Sequence, residues 1–305
     1  MGDLNWTDDQ WRKVKDAVTE AFGKASVASA FLPLYGPLSP GAEMVRNERL
    51  TFDDSVSPPV VALDSSDPSV NQQLVTLTVK VQLSSEQVAD ENLANALLAF
   101  RRAANVLAQN EDAIVFNGYA ASSPGKPATA ASTRVKPYLT SGPDAVGLVD
   151  IAQPLKNITT QFIKDATGKA TKDKEPVGPL LVPKVVEAIT HLEKNSNPGP
   201  FACVLDNKLF EAAHEPSSFS LVLPSDRLLP LLKGPLLRCS QLPDNTGVVV
   251  ALSANAVDLV VATPPIAQFL QRNENAKYMF RVYTRFALRI RDTGPSAPVV
   301  QFEKK

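Results

Sequence analysis

The stretch LLAFRRAANVLAQNEDAIVFNG, from Leu97 to Gly118, constrains this chain more than any other segment. Ser84 and Gln87 stand at capping-box spacing, and Leu93, Leu97, Phe100, Ala104, Leu107 and Ile114 then recur in steps of three, four or seven. The spacing predicts one helix from about Glu86 to Asn117, roughly 45–50 Å long at 1.5 Å per residue. Gly118 fits the left-handed position that closes it. Such a rod spans a domain and serves as a beam. Its chemistry is sparse. Glu111 and Asp112 are adjacent, hence turned about 100° apart on a helix, and no Glu-x-x-His accompanies them as a carboxylate iron site would need. With Arg101 and Arg102 they read as surface or inter-subunit ion pairs.

The other elements follow from period and punctuation. Thr7 with Gln10 makes a further capping box, opening a helix with apolar positions Trp11, Val14, Val18, Ala21 and Phe22 and a stop at Gly23. From Phe31 to Val70 the chain is rich in Pro, Gly, Ser and Asp. An arm of that kind lacks a core and needs another surface, such as another subunit, to pack on. In LVTLTVKVQL, Leu74 to Leu83, apolar and polar residues alternate with the period of a half-buried strand. Residues 120–178 turn to Ala, Ser, Pro, Gly and Thr, with one amphipathic patch at Leu155, Ile158, Phe162 and Ile163. They read as an insertion-like surface excursion.

Order returns with a helix through Val185, Val186, Ile189 and Leu192, with Pro183 in its first turn. FACVLD is a buried strand whose Asp206 caps the next helix, and SDRLLPLLKG is a short helix broken at Pro230. GVVVALS and VDLVVAT are strands. The last long strand, Tyr278 to Ile290, sets Phe280, Val282, Thr284, Phe286, Leu288 and Ile290 on one face. Arg281, Tyr283, Arg285 and Arg289 line the other. This order is α+β, not a regular βα alternation.

Composition narrows the function classes. In 305 residues, 31 Lys and Arg balance 32 Asp and Glu. That near-neutrality argues against a dedicated nucleic-acid binder and makes close assembly of many copies electrostatically cheap. Cys203 and Cys239 lack CxxC spacing and read as buried free thiols in a reducing compartment. No signal peptide or bilayer-length apolar run is evident, which points to a cytoplasmic protein that needs no membrane. His191 and His214, the only histidines, sit in no catalytic or metal-binding motif. The arginines of the last strand fit inter-subunit ion pairs or a solvated sheet face better than phosphate tracking. The chain describes architecture without an active site, cofactor or metal.

With these segments in hand, the sequence resembles the encapsulins, shell-forming proteins also known under a linocin label and related to the major capsid proteins of tailed phages. TDDQWRKVKDAVTEAF, LLAFRRAANVLAQNEDAIVFNG, GPFACVLDNKLFEAA and VDLVVATPPIAQFLQRNENAKYMFRVYTRFALRIRD carry the resemblance, in that order. It implies the phage-capsid (HK97-like) fold. Residues 1–47 would be an N-terminal helix and arm, and 48–73 an extended loop. Residues 74–200 and 254–305 would form a peripheral domain with a spine helix, and 201–253 an axial domain. It further implies 60 or more copies closing into an icosahedral shell in the bacterial cytoplasm, with no nucleic acid required.

The shell would enclose a cargo enzyme, a dye-decolorising peroxidase or a ferritin-like iron oxidase of the kind used in iron storage, docked by its C-terminal peptide. The docking surface, carried over by position, would be Trp11, Val14, Lys15 and Val18 with Pro264, Pro265, Ile266 and Phe269. Cargo-loading relatives often carry a polar or acidic residue where Pro264 or Pro265 stands. Pores would come from the axial loop between Glu215 and Asn245. The alternative is a major capsid protein of a phage or prophage, on the same fold.

Overall fold

The alternation in Val75–Leu83 does make a strand. Its partner is Tyr278–Ile290, antiparallel, with Phe280 opposite Val81, Val282 opposite Val79 and Thr284 opposite Leu77. The computed structural model describes residues 4–39, 41–53, 55–64, 70–119, 140–155, 158, 162–164, 170–174, 176–216, 222–253, 256–273, 275, 277–293 and 296–304. Its contacts divide the chain into two units, one of residues 1–48, 65–146 and 258–289, the other of 49–64, 147–257 and 290–305.

In the first unit a five-stranded sheet runs in the order Leu34–Tyr35, Val257–Arg272, Tyr278–Ile290, Val75–Leu83, Thr140–Ser141. The predicted strand VDLVVAT is only the start of Val257–Arg272, which continues through Pro264 and Pro265. The short strand Leu34–Tyr35 pairs with it at Leu259 and Val260 alone. Beyond that point its outer side is an edge, where a missing N–H donor is tolerated.

The predicted long helix is two helices. The Ser84–Gln87 capping box forms, yet it opens only the short helix Ser85–Ala89. The chain then turns through Leu93 at φ 53° before the spine helix Ala94–Asn117, 24 residues or about 36 Å. Asp90 makes the second start: its carboxylate accepts the N–H groups of Asn92 and Ala94, both at 3.0 Å. Gly118 closes the helix at φ 73° and donates its N–H to Ile114. Its ψ of −179° is outside the left-handed helical well that sequence suggested, in a region only glycine enters readily.

The N-terminal helix, Asp8–Ala25, packs along the spine helix. Both halves of the Thr7–Gln10 box are made. Trp6 and Trp11 flank it at 5.2 Å between ring centroids, a hydrophobic staple that fixes the entering chain. Gly23 does not stop the helix, which runs on to Ala25 and is closed by the Ser26 N–H donating to the Phe22 carbonyl.

Burial corrects the reading of the acidic pair. Every residue from Asn110 to Asn117 is buried, so this end of the spine is enclosed on all sides. Glu111 and Asp112 are each 2% exposed and make no surface ion pair among the described residues. Ser26 donates its hydroxyl to Glu111 at 3.2 Å, and Asp112 accepts the N–H groups of Val27 and Ala28. Arg101 and Arg102 are exposed, as expected. Arg289 is the other correction: it lies buried and forks onto Asp258 at 2.8 and 2.5 Å.

The second unit is built on the sheet order Leu236–Arg238, Phe201–Leu205, Thr246–Ala251, Val299–Glu303, Gln153–Pro154. Phe201–Leu205 and Thr246–Ala251 are buried throughout, as strands covered on both faces must be. Asp206 caps Asn207–His214 as predicted, accepting the N–H groups of Lys208 and Leu209. Helices Val177–Lys194 and Pro224–Leu232 pack into the same core. Pro183 sits well inside the first, not in its opening turn, and Pro230 sits inside the second without breaking it. Each removes a helical hydrogen bond, at a cost of about 3 kcal/mol that the buried Leu181, Val182, Val185, Leu228 and Leu232 offset.

The sheet of this unit recruits segments from far along the chain. Val299–Glu303 pairs with Thr246–Ala251, and Gln153–Pro154 with Val299–Glu303. The proposed excursion 120–178 is therefore not all surface. Ile158 is 3% exposed within the core, while 120–139 lie outside the described residues. Of the patch noted above, Leu155 packs on that core beside Ile158.

Arg49–Asp53 and Val60–Asp64 form a separate two-stranded hairpin in this unit, with Leu50 opposite Leu63 and Phe52 opposite Val61. It is exposed on both faces: Phe52 is 66%, Val61 64% and Leu63 55% exposed on one, and Val60 is 50% exposed on the other.

Gly178 tests the helix packing. A Cβ there would lie 2.4 Å from the Ala212 carbonyl oxygen, a rigid neighbour. Gly178→Ala is expected to lower stability by about 1–3 kcal/mol in thermal or denaturant unfolding.

Candidate docking site

The residues carried over by position divide between two faces of the first unit's sheet. Phe280 is wholly buried and forms the centre of one face. Trp6 stacks on it at 5.0 Å and 18°, Trp11 meets it edge-on at 6.3 Å, and Phe269 does so at 5.3 Å. Phe100 of the spine helix closes the cluster at 5.4 Å. Trp6 Nε1 donates to the Val88 carbonyl at 3.0 Å, which anchors the segment before the N-terminal helix. Trp11 and Phe269 are half-buried and Lys15, one helical turn beyond Trp11, is exposed. These three bring an aromatic surface and one cation to the outside. Pro265 shares the alternation of Phe269 along its strand.

Val14 and Val18 do not contribute to that surface. Both are fully buried, in the side of the N-terminal helix that packs on the spine. Their stripe was legible, but it serves the core.

Pro264 and Ile266 lie on the opposite face. Arg281 follows Phe280 in the strand and so points away from it. Its Nε and Nη2 donate to Gln268 Oε1 at 2.9 and 2.6 Å, and its guanidinium sits 4.4 Å over the Tyr283 ring. Around it a cavity of about 600 Å³ is lined by Pro37, Leu38, Thr76, Ala262, Pro264, Ile266, Tyr283 and Arg285. One strand thus supplies residues to two separate surfaces.

Trp6, Phe280 and this cavity were not singled out as site residues in the sequence. An aromatic residue just before a capping box, matched by another at its fourth position, was the available signal for Trp6.

No described residues form a group of three or more His, Cys, Asp or Glu side chains able to hold a metal. His214 Nδ1 lies 2.8 Å from its own helix's Phe210 carbonyl. Cys203 is wholly buried, and desolvation pushes its thiol up to about 12, which leaves no thiolate nucleophile. No helix among the described residues is long and apolar enough to cross a membrane.

The sequence profile of the family Linocin_M18, described as encapsulating protein for peroxidase, matches residues 3–146 and 155–287. The chain belongs to this encapsulin family. It is 21% identical over 300 residues to the type 1 encapsulin shell protein EncA of Myxococcus xanthus (strain DK1622), covering 93% of this chain and 90% of that protein. Its fold is similar to that of a virus-like particle from Pyrococcus furiosus, with a TM-score of 0.64 at 15% identity over 96% of this chain and 99% of the other. The capsid of Myoviridae phage XM1 matches with a TM-score of 0.53 at 14% identity over 90% of each chain.

The fold is therefore the phage-capsid (HK97-like) fold, and the family match sets the chain among encapsulins. Its relatives are structural shell proteins, not enzymes.

The division of the sheet predicts a contrast. Phe269→Ala should alter the near-ultraviolet circular dichroism of the Trp6–Trp11 cluster, while Ile266→Ala leaves it unchanged. Equal effects would show that the two residues share a face.

Proposed function

We propose that this encapsulin closes with 60 or more copies of itself into an icosahedral shell, in the bacterial cytoplasm and without nucleic acid. Within it the shell holds a cargo enzyme, a dye-decolorising peroxidase or a ferritin-like iron oxidase, docked by its C-terminal peptide. The observation that carries the closed shell is the hairpin Arg49–Asp53 and Val60–Asp64. A two-stranded hairpin is marginal alone in water, and this one exposes Leu50, Phe52, Val61 and Leu63 together on one face. Contiguous apolar surface of that kind marks an interface. Neighbouring subunits are the cover that the proposed assembly provides.

For cargo docking, the aromatic face is the better-supported part of the surface carried over by position. Trp11 and Phe269 offer half-exposed rings backed by the buried Phe280, so a docked peptide meets rigid anchors that lose little entropy. Lys15 adds a cation at its rim. Val14 and Val18 support the helix from below.

Electron microscopy of the recombinant protein, with mass analysis of co-purified proteins, tests both parts. Closed particles carrying one enzyme with a C-terminal extension are expected. A strictly monomeric product across wide concentration and salt ranges would refute the shell. Trp11→Ala with Phe269→Ala should lower cargo retention several-fold while particles still form, and unchanged loading would refute the docking face.

A further inference from the structure

Neither shell closure nor cargo docking accounts for Glu111 and Asp112. They place two carboxyl groups, each 2% exposed, on consecutive residues of a helix end that is buried on all sides. Their partners all come from the turn that ends the N-terminal helix. Ser26 donates to Glu111 Oε1, Val27 N–H reaches both Asp112 oxygens at 3.0 Å, and Ala28 N–H donates to Oδ1 at 2.8 Å.

No cation answers the pair among the described ion pairs. The elements packed on the spine helix keep their own charges elsewhere. Asp8, Asp9, Arg12, Lys13, Lys15, Asp16, Glu20 and Lys24 of the N-terminal helix are all exposed. The short helix Ala28–Phe31 has no charged residue, and Lys80 of Val75–Leu83 and Glu86 of Ser85–Ala89 are exposed. In the same unit's sheet, buried Arg289 is bound to Asp258.

Desolvation first, then repulsion from Asp112, pushes Glu111 up to about 8. Desolvation pushes Asp112 up to about 7, against the pull of the Ala28 and Val27 N–H groups. In water such groups titrate near about 4.

We propose that Glu111 and Asp112 form a proton-operated latch for the N-terminal helix. With both carboxyl groups protonated, the Ser26–Ala28 turn seats on the spine helix, and their ionisation loosens it. Release of the turn opens both groups to water, where they ionise. Each proton held only in the seated state therefore weakens seating tenfold per pH unit. Because the seated values are raised, seating is strongest in acid, falls as pH rises toward about 7 and 8, and levels off beyond.

The full-length protein carries its own reporter, since its two tryptophans, Trp6 and Trp11, both belong to this N-terminal segment. Tryptophan emission at a fixed sub-denaturing urea concentration is measured from pH 5 to 9. The seating equilibrium is expected to weaken by ten- to a hundred-fold per pH unit between about 5 and 7, then flatten above about 8. Glu111→Gln with Asp112→Asn should abolish the slope.

A flat wild-type profile, or a double variant with the wild-type slope, overturns the latch. Should the double variant fail to fold, Glu111→Gln alone leaves one titrating group. It should roughly halve the slope, and an unchanged slope overturns the proposal equally.

Discussion

The last two turns of the spine helix are enclosed by protein on every side, and the first unit is arranged around satisfying what they bury. A helix sealed in this way is normally apolar all round. This one carries Asn110, Glu111, Asp112 and Asn117, and each buried polar group there needs a specific partner. Asn110 finds Thr140, which ties the strand Thr140–Ser141 to the helix at 3.0 Å. Glu111 and Asp112 find the turn at Ser26 to Ala28, which ties down the N-terminal helix. These directional bonds add to the register that the interdigitating apolar side chains set.

The same unit shows how a strand's alternation separates tasks. Phe280 and Arg281 are neighbours in sequence, yet one is the centre of an aromatic cluster and the other overlooks a cavity of about 600 Å³. Whatever contacts the cavity meets the Arg281 guanidinium, held over Tyr283 and against Gln268. Whatever contacts the other face meets indole and phenyl rings. Two surfaces of different chemistry thus share one sheet without sharing side chains.

Local signals were legible where local physics decides. The boxes at Thr7 and Ser84, the cap at Asp206 and the alternation of Val75–Leu83 all formed as their spacing predicts. Boundaries and burial set by distant partners were not. The break before Ala94 depends on Asp90 accepting two N–H groups, a competitor to helix that the apolar stripe conceals. The burial of Glu111 and Asp112 rests on a turn 84 or 85 positions earlier, which no helical period reveals. Of the residues carried over by position, Trp11 and Phe269 do meet on one aromatic face, around Phe280. The assignment of Val14, Val18, Pro264 and Ile266 to the same surface required knowing which way each element faces.

The two cysteines carry a practical consequence. Cys203 and Cys239 are both buried, and the Cys203 thiol is held far from ionisation. The native chain is therefore silent toward thiol-directed reagents at neutral pH while folded. A cysteine introduced at an exposed position would stand as a single addressable handle per subunit. A shell of such subunits would carry fluorophores, spin labels or coupled peptides at one defined place on each copy.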